Sequence, residues 1–156
     1  MWRLIRSSPP LDLNSPYCYL LLCDEFSQTT VVARDGDAIV GAVTGFRLPK
    51  NPAVLFVWQV VVAASHRRQG LARRMIRDIL ARPANADVCA IETTVSPSNE
   101  ASREMFRSLA RELGAPFDSI GGFSEQLFPD IGHEEETRYR IGPFTRAANT
   151  QESSHA

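Results

Sequence analysis

One stretch, residues 55–80, constrains this chain more than any other. It opens with Leu55-Phe56-Val57-Trp58-Gln59-Val60-Val61-Val62, a run without charge and rich in valine, which predicts a central strand buried on both faces. After Ala63-Ala64-Ser65-His66 comes Arg67-Arg68-Gln69-Gly70-Leu71-Ala72, and then Leu71, Met75 and Ile79 recur at helical spacing with Ile76 and Leu80 beside them. Strand, basic glycine turn and helix therefore follow directly on one another. The first turn of a helix leaves backbone N–H groups unpaired, and the helix dipole adds partial positive charge there. Gly70 lets a ligand approach the backbone, Ala72 keeps the first turn uncrowded, and Arg67, Arg68 and Arg73 add charge. The turn alone reads equally well as a solvated basic loop. The strand before it and the amphipathic helix after it are the context of a phosphate cradle.

The remaining composition narrows the function class. A chain of 156 residues that is 44% hydrophobic can bury one good core, and residues 1–144 are expected to form one domain. Residues 145–156 are polar and predict a flexible tail. With 17 basic and 18 acidic residues there is no global field for nucleic acid or an anionic membrane, so neither is an expected partner. No run is long and apolar enough to cross a bilayer. Cys18, Cys23 and Cys89 form no C-x-x-C pair and sit in apolar runs, which fits a reducing, cytoplasmic setting. His66, His133 and His155 lie far apart without paired ligands, so no metal site is expected.

Along the chain, residues 1–8 look helical until Pro9-Pro10. Ser15 can cap and Pro16 can start an apolar helix reaching about residue 26. Residues 29–34 and 38–46 predict two strands around Asp35-Gly36-Asp37, and Pro49-Lys50-Asn51-Pro52 a loop. Beyond the central strand and helix, residues 88–95 predict a strand. Residues 100–113 predict a helix capped by Ser96-Pro97-Ser98-Asn99 and ended by Gly114. Residues 117–128 are ambiguous, 130–136 form an acidic loop, and 137–144 predict a last strand. The class is α/β in the broad sense, with helices flanking one sheet.

The spacing Arg67-x-x-Gly70-x-Ala72 resembles the acyl-coenzyme A loop of the GCN5-related N-acetyltransferases. The resemblance implies that family's fold, a mixed, mostly antiparallel sheet flanked by helices. It also implies that the central strand splays from its neighbour and that the pantetheine arm of acetyl-coenzyme A lies in the gap against Val60, Val61 and Val62. Its pyrophosphate would then meet Arg67, Arg68, Gln69, Gly70, Leu71, Ala72 and Arg73. The family's fold normally opens with a strand before the first helix. Here Met1 already stands at that helix, so that strand is expected to be trimmed or missing. Asn99 followed by Phe106 resembles the family's next-helix pattern, in which Asn approaches the cofactor and a Tyr commonly protonates the thiolate. Phe106 cannot donate that proton, so another group or water must. Asn99 reads equally well as a plain helix cap.

Segments spread over the whole chain resemble one branch of that family, the L-2,4-diaminobutyrate acetyltransferases of ectoine biosynthesis. They are residues 9–22, 55–60, 70–74, Glu92-Thr93-Thr94 and Arg140-Ile141-Gly142-Pro143-Phe144. The resemblance implies acetyl transfer to the 4-amino group of L-2,4-diaminobutyrate, and a homodimer.

The residue chemistry can be set beside that implication. An amine with a lysine-like pKa is neutral in about one molecule per thousand at pH 7, so deprotonation costs roughly 4–5 kcal/mol of the barrier. The α-amine is the less basic of the two, so selectivity for the far amine requires the α-ammonium to be held as a cation. Asp12 and Glu136 are the candidate carboxylates for that, with Tyr17 and Trp58 as walls. Glu92 is the first candidate proton acceptor and His133 the second, since imidazole titrates in the right range. Strand alternation puts Thr94 on the same face as Glu92, where it can orient the amine or a water. Each has a plainer reading: Glu134-Glu135-Glu136 as a solvated loop, Asp12 as a turn cap, Trp58 as core. Two other functions stay open on the sequence. One is acetylation of another amine, such as a polyamine, an amino-sugar or a peptide terminus. The other is a nucleotide-binding module without catalysis.

Overall fold

The computed structural model describes residues 1–129 and 132–145. In chain order its main elements are α1 (Trp2–Arg6), α2 (Pro16–Asp24), β1 (Val31–Asp35), β2 (Ala38–Leu48), β3 (Asn51–Val62), α3 (Leu71–Ala81), β4 (Ala90–Val95), α4 (Glu100–Glu112), β5 (Phe117–Phe123) and β6 (Glu136–Ile141). The strands form one six-stranded sheet in the order β1-β2-β3-β4-β6-β5. All neighbours are antiparallel except β3 and β4, which run parallel. Among the described residues no strand precedes α1, and β1 forms one edge of the sheet. The expectation for residues 146–156, and that part of the acidic loop at 130–131, fall outside the described residues.

The sheet has two covered faces. On one, α3 and α4 bury Met75, Ile76, Ile79, Phe106 and Leu109 against Val43, Leu55, Val57 and Ile91. Fully burying an aliphatic side chain of this size stabilises the fold by roughly 1.5–3 kcal/mol. On the other, α1 and α2 pack Ile5, Tyr19 and Leu22 on Ala42 and Val61. Apolar α2 thus meets the sheet as expected, but through one face: Tyr17 and Leu20 are 67% and 66% exposed. Its start follows the local signals, since Ser15 caps by accepting from the Cys18 N–H at 3.2 Å and Pro16 is its first residue.

Several boundaries differ from the sequence reading. β3 begins at Asn51, because Asn51 pairs with Leu48 and Pro49-Lys50 is the tip of a tight hairpin in place of a loop. β4 begins at Ala90, since the Val88 N–H is drawn into a turn by the Asn85 carbonyl at 3.1 Å. The ambiguous stretch resolves into β5 and a short 3-10 turn, Glu125–Leu127. There Gly122 lets the two strands approach where β6 starts: a Cβ at this residue would stand 2.2 Å from the Glu136 carbonyl oxygen.

Candidate active site

The middle of β3 carries a bulge. Thr44 pairs with Gln59 and Gly45 with Val57, which leaves Trp58 without an opposite residue. The extra residue shifts the alternation, so Val57 and Val60 both serve the α3/α4 core while Gln59 and Val61 face α1 and α2. The parallel pairing with β4 covers Val54–Val57 against Ala90–Thr93 and stops there, although both strands continue. Val60, Val61 and Val62 therefore lie beyond the last β3–β4 pair. An extended ligand can hydrogen-bond along such an edge as an added strand.

The turn after β3 leads from that gap to α3. Gly70 is the N-cap of α3 with φ 71°, a left-handed conformation that suits glycine, and Arg68 is also left-handed at φ 60°. Arg67 Nε donates to the Val62 carbonyl at 3.1 Å, and Gln69 Nε2 donates to the Ser65 carbonyl at 3.4 Å, which folds the turn on itself. Leu71 and Ala72 begin α3. Arg73 turns aside toward α4, where it donates to Ser108 and lies 2.8 Å from Glu112. The charge expected of Arg73 at the turn is thus shared with the joining of α3 to α4, although its guanidinium still reaches Gly70, where a Cβ would stand 3.3 Å from it. Asn99 caps α4, its Oδ1 accepting from the Ser102 N–H at 3.1 Å. Phe106 is 2% exposed and packed in the main core.

A second cluster gathers residues from distant parts of the chain. His133 Nε2 lies 4.0 Å from Asp12 Oδ2. The Glu136 carboxyl, half-buried at the start of β6, is hydrogen-bonded by the Thr94 hydroxyl from β4. Its pKa is raised, first by burial, with the Asp12 and Glu134 carboxylates adding to the shift; the Thr94 hydrogen bond and the charge on His133 oppose it. Glu134 ties this segment to the entry of α4, accepting from the Ser98 N–H at 2.9 Å, and that hydrogen bonding to Ser98 holds its carboxyl below the ordinary range. Trp58 is 39% exposed at the bulge, and the Tyr17 ring stands out from the first turn of α2.

His133 is oriented by its neighbours. Its Nδ1 is 2.6 Å from the Glu134 carbonyl, which can only accept, so Nδ1 carries a hydrogen, and Nε2 faces Asp12. The ring is stacked on Phe128 with centroids 3.8 Å apart. Glu92 is arranged differently. It is buried, and both of its oxygens are engaged: Arg138 Nε donates to Oε2 at 2.8 Å and Arg140 Nη1 to Oε1 at 2.7 Å. The two guanidinium groups tie Glu92 of β4 to β6.

Sequence reasoning passed over Arg138 and Arg140, which alternate onto one face of β6, and over Gln59. Its signal was present: Gln59 is the single polar side chain between Leu55 and Val62 apart from the indole N–H of Trp58. Among the described residues no three His, Cys, Asp or Glu side chains are grouped to hold a metal ion, and no helix is long and apolar enough to cross a membrane.

Comparison with known proteins agrees with this arrangement. The family described as Acetyltransferase (GNAT) family matches residues 1–110. An L-2,4-diaminobutyric acid acetyltransferase of Shouchella clausii is 47% identical over 144 residues, covering 92% of this chain and 80% of its own. That of Methylotuvimicrobium alcaliphilum is 48% identical over 142 residues, covering 91% and 83%. The solved diaminobutyrate acetyltransferase EctA from Paenibacillus lautus, in complex with its substrate L-2,4-diaminobutyric acid and coenzyme A, superposes with a TM-score of 0.89. It is 49% identical and covers 94% of this chain and 89% of its own. Taken with the splayed strands, the glycine turn and the cluster around Asp12, these matches mean that the chain belongs to the acetyltransferase (GNAT) family, among the L-2,4-diaminobutyric acid acetyltransferases.

Proposed function

We propose that this chain, as one domain over residues 1–144, transfers acetyl from acetyl-coenzyme A to the 4-amino group of L-2,4-diaminobutyrate, a step of ectoine formation. The observation that carries the reading is the convergence of Asp12, Thr94, His133 and Glu136 beside the gap between β3 and β4. An acidic cluster suits a dibasic amino acid, and the gap suits an extended thioester.

The roles divide as follows. The N–H groups of the turn from Arg67 to Ala72 hold the pyrophosphate, and the free edge of β3 at Val60–Val62 holds the pantetheine arm. A backbone N–H near Val60 stabilises the oxyanion on the thioester carbonyl. Asp12 and Glu136 hold the α-ammonium as a cation, Thr94 orients Glu136, and Tyr17 and Trp58 wall the pocket. His133 Nε2 accepts the proton of the 4-ammonium, directly or through water, and Glu92 keeps β6 in place through its two arginines. The freed amine attacks the carbonyl, the C–S bond breaks, and a water relays the proton that leaves the nitrogen to the departing thiolate, since Phe106 has none to give. Cys18, Cys23 and Cys89 take no covalent part in this scheme.

The protein is further read as a cytoplasmic homodimer. Exposed apolar side chains support the dimer, above all Tyr17, Leu20 and Leu127, and sedimentation velocity tests it. The function itself is tested by following free thiol with a panel of amines. L-2,4-diaminobutyrate should be turned over, and putrescine or L-lysine should be poor substrates. Equal rates across the panel would overturn the reading.

A further inference from the structure

Asp12 stands in a segment without helix or strand, between α1 and α2. Its side chain is 84% exposed, so packing does not hold it in place. The segment is instead held through hydrogen bonds that begin on β3. Gln59 is 5% exposed, and both ends of its amide are used: Nε2 donates to the Asp12 carbonyl at 2.7 Å, and Oε1 accepts from the Tyr19 hydroxyl at 3.1 Å. The same hydroxyl accepts from the Asn14 N–H at 3.2 Å. Residues 12 and 14 are thus tied to one strand position through a single buried relay.

That strand position is itself fixed. The Gln59 N–H, displaced by the bulge at Trp58, donates to Oγ1 of fully buried Thr44 at 3.2 Å. Gln59 also lies between Trp58, a wall of the acceptor pocket, and Val60, at the start of the gap for the acyl donor. A buried amide costs free energy unless both of its ends are paired, and here both are. A leucine or valine would fill this core position more cheaply, so the amide is a costly choice whose evident product is the placement of Asp12.

We infer that Gln59 is a positioning residue: through its amide and the Tyr19 hydroxyl it holds the segment 12–14 so that the Asp12 carboxylate meets the acceptor's ammonium. The inference rests on the proposed function for the identity of the acceptor. Gln59 touches no reacting atom. Its effect falls on acceptor binding and leaves the pyrophosphate turn, which is built from other residues, unchanged.

Two variants and two measurements test it. Gln59→Met conserves length while removing both of its amide's hydrogen bonds, and Tyr19→Phe removes the links to Asn14 and to Gln59 Oε1 but keeps the bond from Gln59 to Asp12. In Gln59→Met, KM for L-2,4-diaminobutyrate should rise about tenfold, as expected for the loss of one or two hydrogen bonds, while KM for acetyl-coenzyme A stays within about twofold. Tyr19→Phe should give a smaller rise of the same kind. Independently of catalysis, hydrogen exchange of the Asn14 amide should quicken in both variants while β3 amides keep their protection. An unchanged acceptor KM, or an equal rise in both KM values, overturns the inference, as does an unchanged Asn14 exchange rate. Failure of the wild type to turn over the diamino acid would instead take down the proposed function, and Asn14 exchange would still decide whether the relay holds the segment.

Discussion

His133 Nε2 stands 4.0 Å from Asp12 Oδ2, and the two residues come from opposite ends of the chain. That contact joins the loop before α2 to the loop before β6. It places the His133 imidazole beside a carboxylate, where the α-ammonium can meet Asp12 while the 4-ammonium meets His133. Replacing His133 by Ala should lower kcat by about a hundredfold or more, the usual contribution of a general base, with a smaller change in KM. Asp12→Ala should do the reverse and raise KM for the diamino acid by about tenfold. Steady-state kinetics on both variants checks the division, and equal losses in both parameters would contradict it.

Glu136 gives a pH signature. Its folded pKa is raised above the ordinary 4.5, chiefly by burial. The folded state therefore holds the proton more tightly than the unfolded chain does, and stability falls as pH rises from that ordinary value through the folded one. Above the folded value the ionised carboxylate destabilises the fold while serving the substrate. Glu136→Gln should raise Tm at pH 7, leave it unchanged below about pH 4, and weaken acceptor binding. A loss of Tm at neutral pH would show that the carboxylate is held by something stabilising, against this account.

Glu92 separates anchoring from proton transfer. Removing one partner of a buried ion pair typically costs about 3–5 kcal/mol, because the remaining charges lose their compensation. Arg138 and Arg140 are partly exposed, so the lower end applies to Glu92→Leu. Thermal unfolding should show that loss clearly. Activity of the folded fraction should suffer far less than in His133→Ala; the opposite ranking would restore Glu92 as the proton acceptor.

Gly70 tests the donor side. A side chain at φ 71° costs about 1–2 kcal/mol and disturbs the N–H groups at the start of α3. Gly70→Val should raise KM for acetyl-coenzyme A by about tenfold, with KM for the amine unchanged. A rise in the amine's KM alone would place the phosphate site elsewhere.

What could be read from the sequence was local. The Ser15-Pro16 helix start, the Gly70 turn and the valines of β3 each carry their signal within a few residues, and each is where expected. The ends of β3 and β4 were missed because pairing and turns decide them: Asn51 joins the strand through Leu48, and Val88 leaves it through Asn85. Longer-range relations were out of reach for the same reason. Nothing near Glu92 announces Arg138 and Arg140, and nothing near Arg73 announces Glu112; each pair meets only across the finished fold. The bulge at Trp58 is invisible to a reading by alternation, yet it moves Gln59 toward Tyr19 and Asp12.

The central claim is that the pocket presents the far amine, with the α-ammonium held by Asp12 and Glu136. It is tested most directly by incubating the protein with acetyl-coenzyme A and L-2,4-diaminobutyrate and assigning the acetylated nitrogen by NMR. The account predicts stoichiometric thiol release with acetyl on N4 alone. Acetyl on the α-nitrogen, or a mixture of both products, would contradict it.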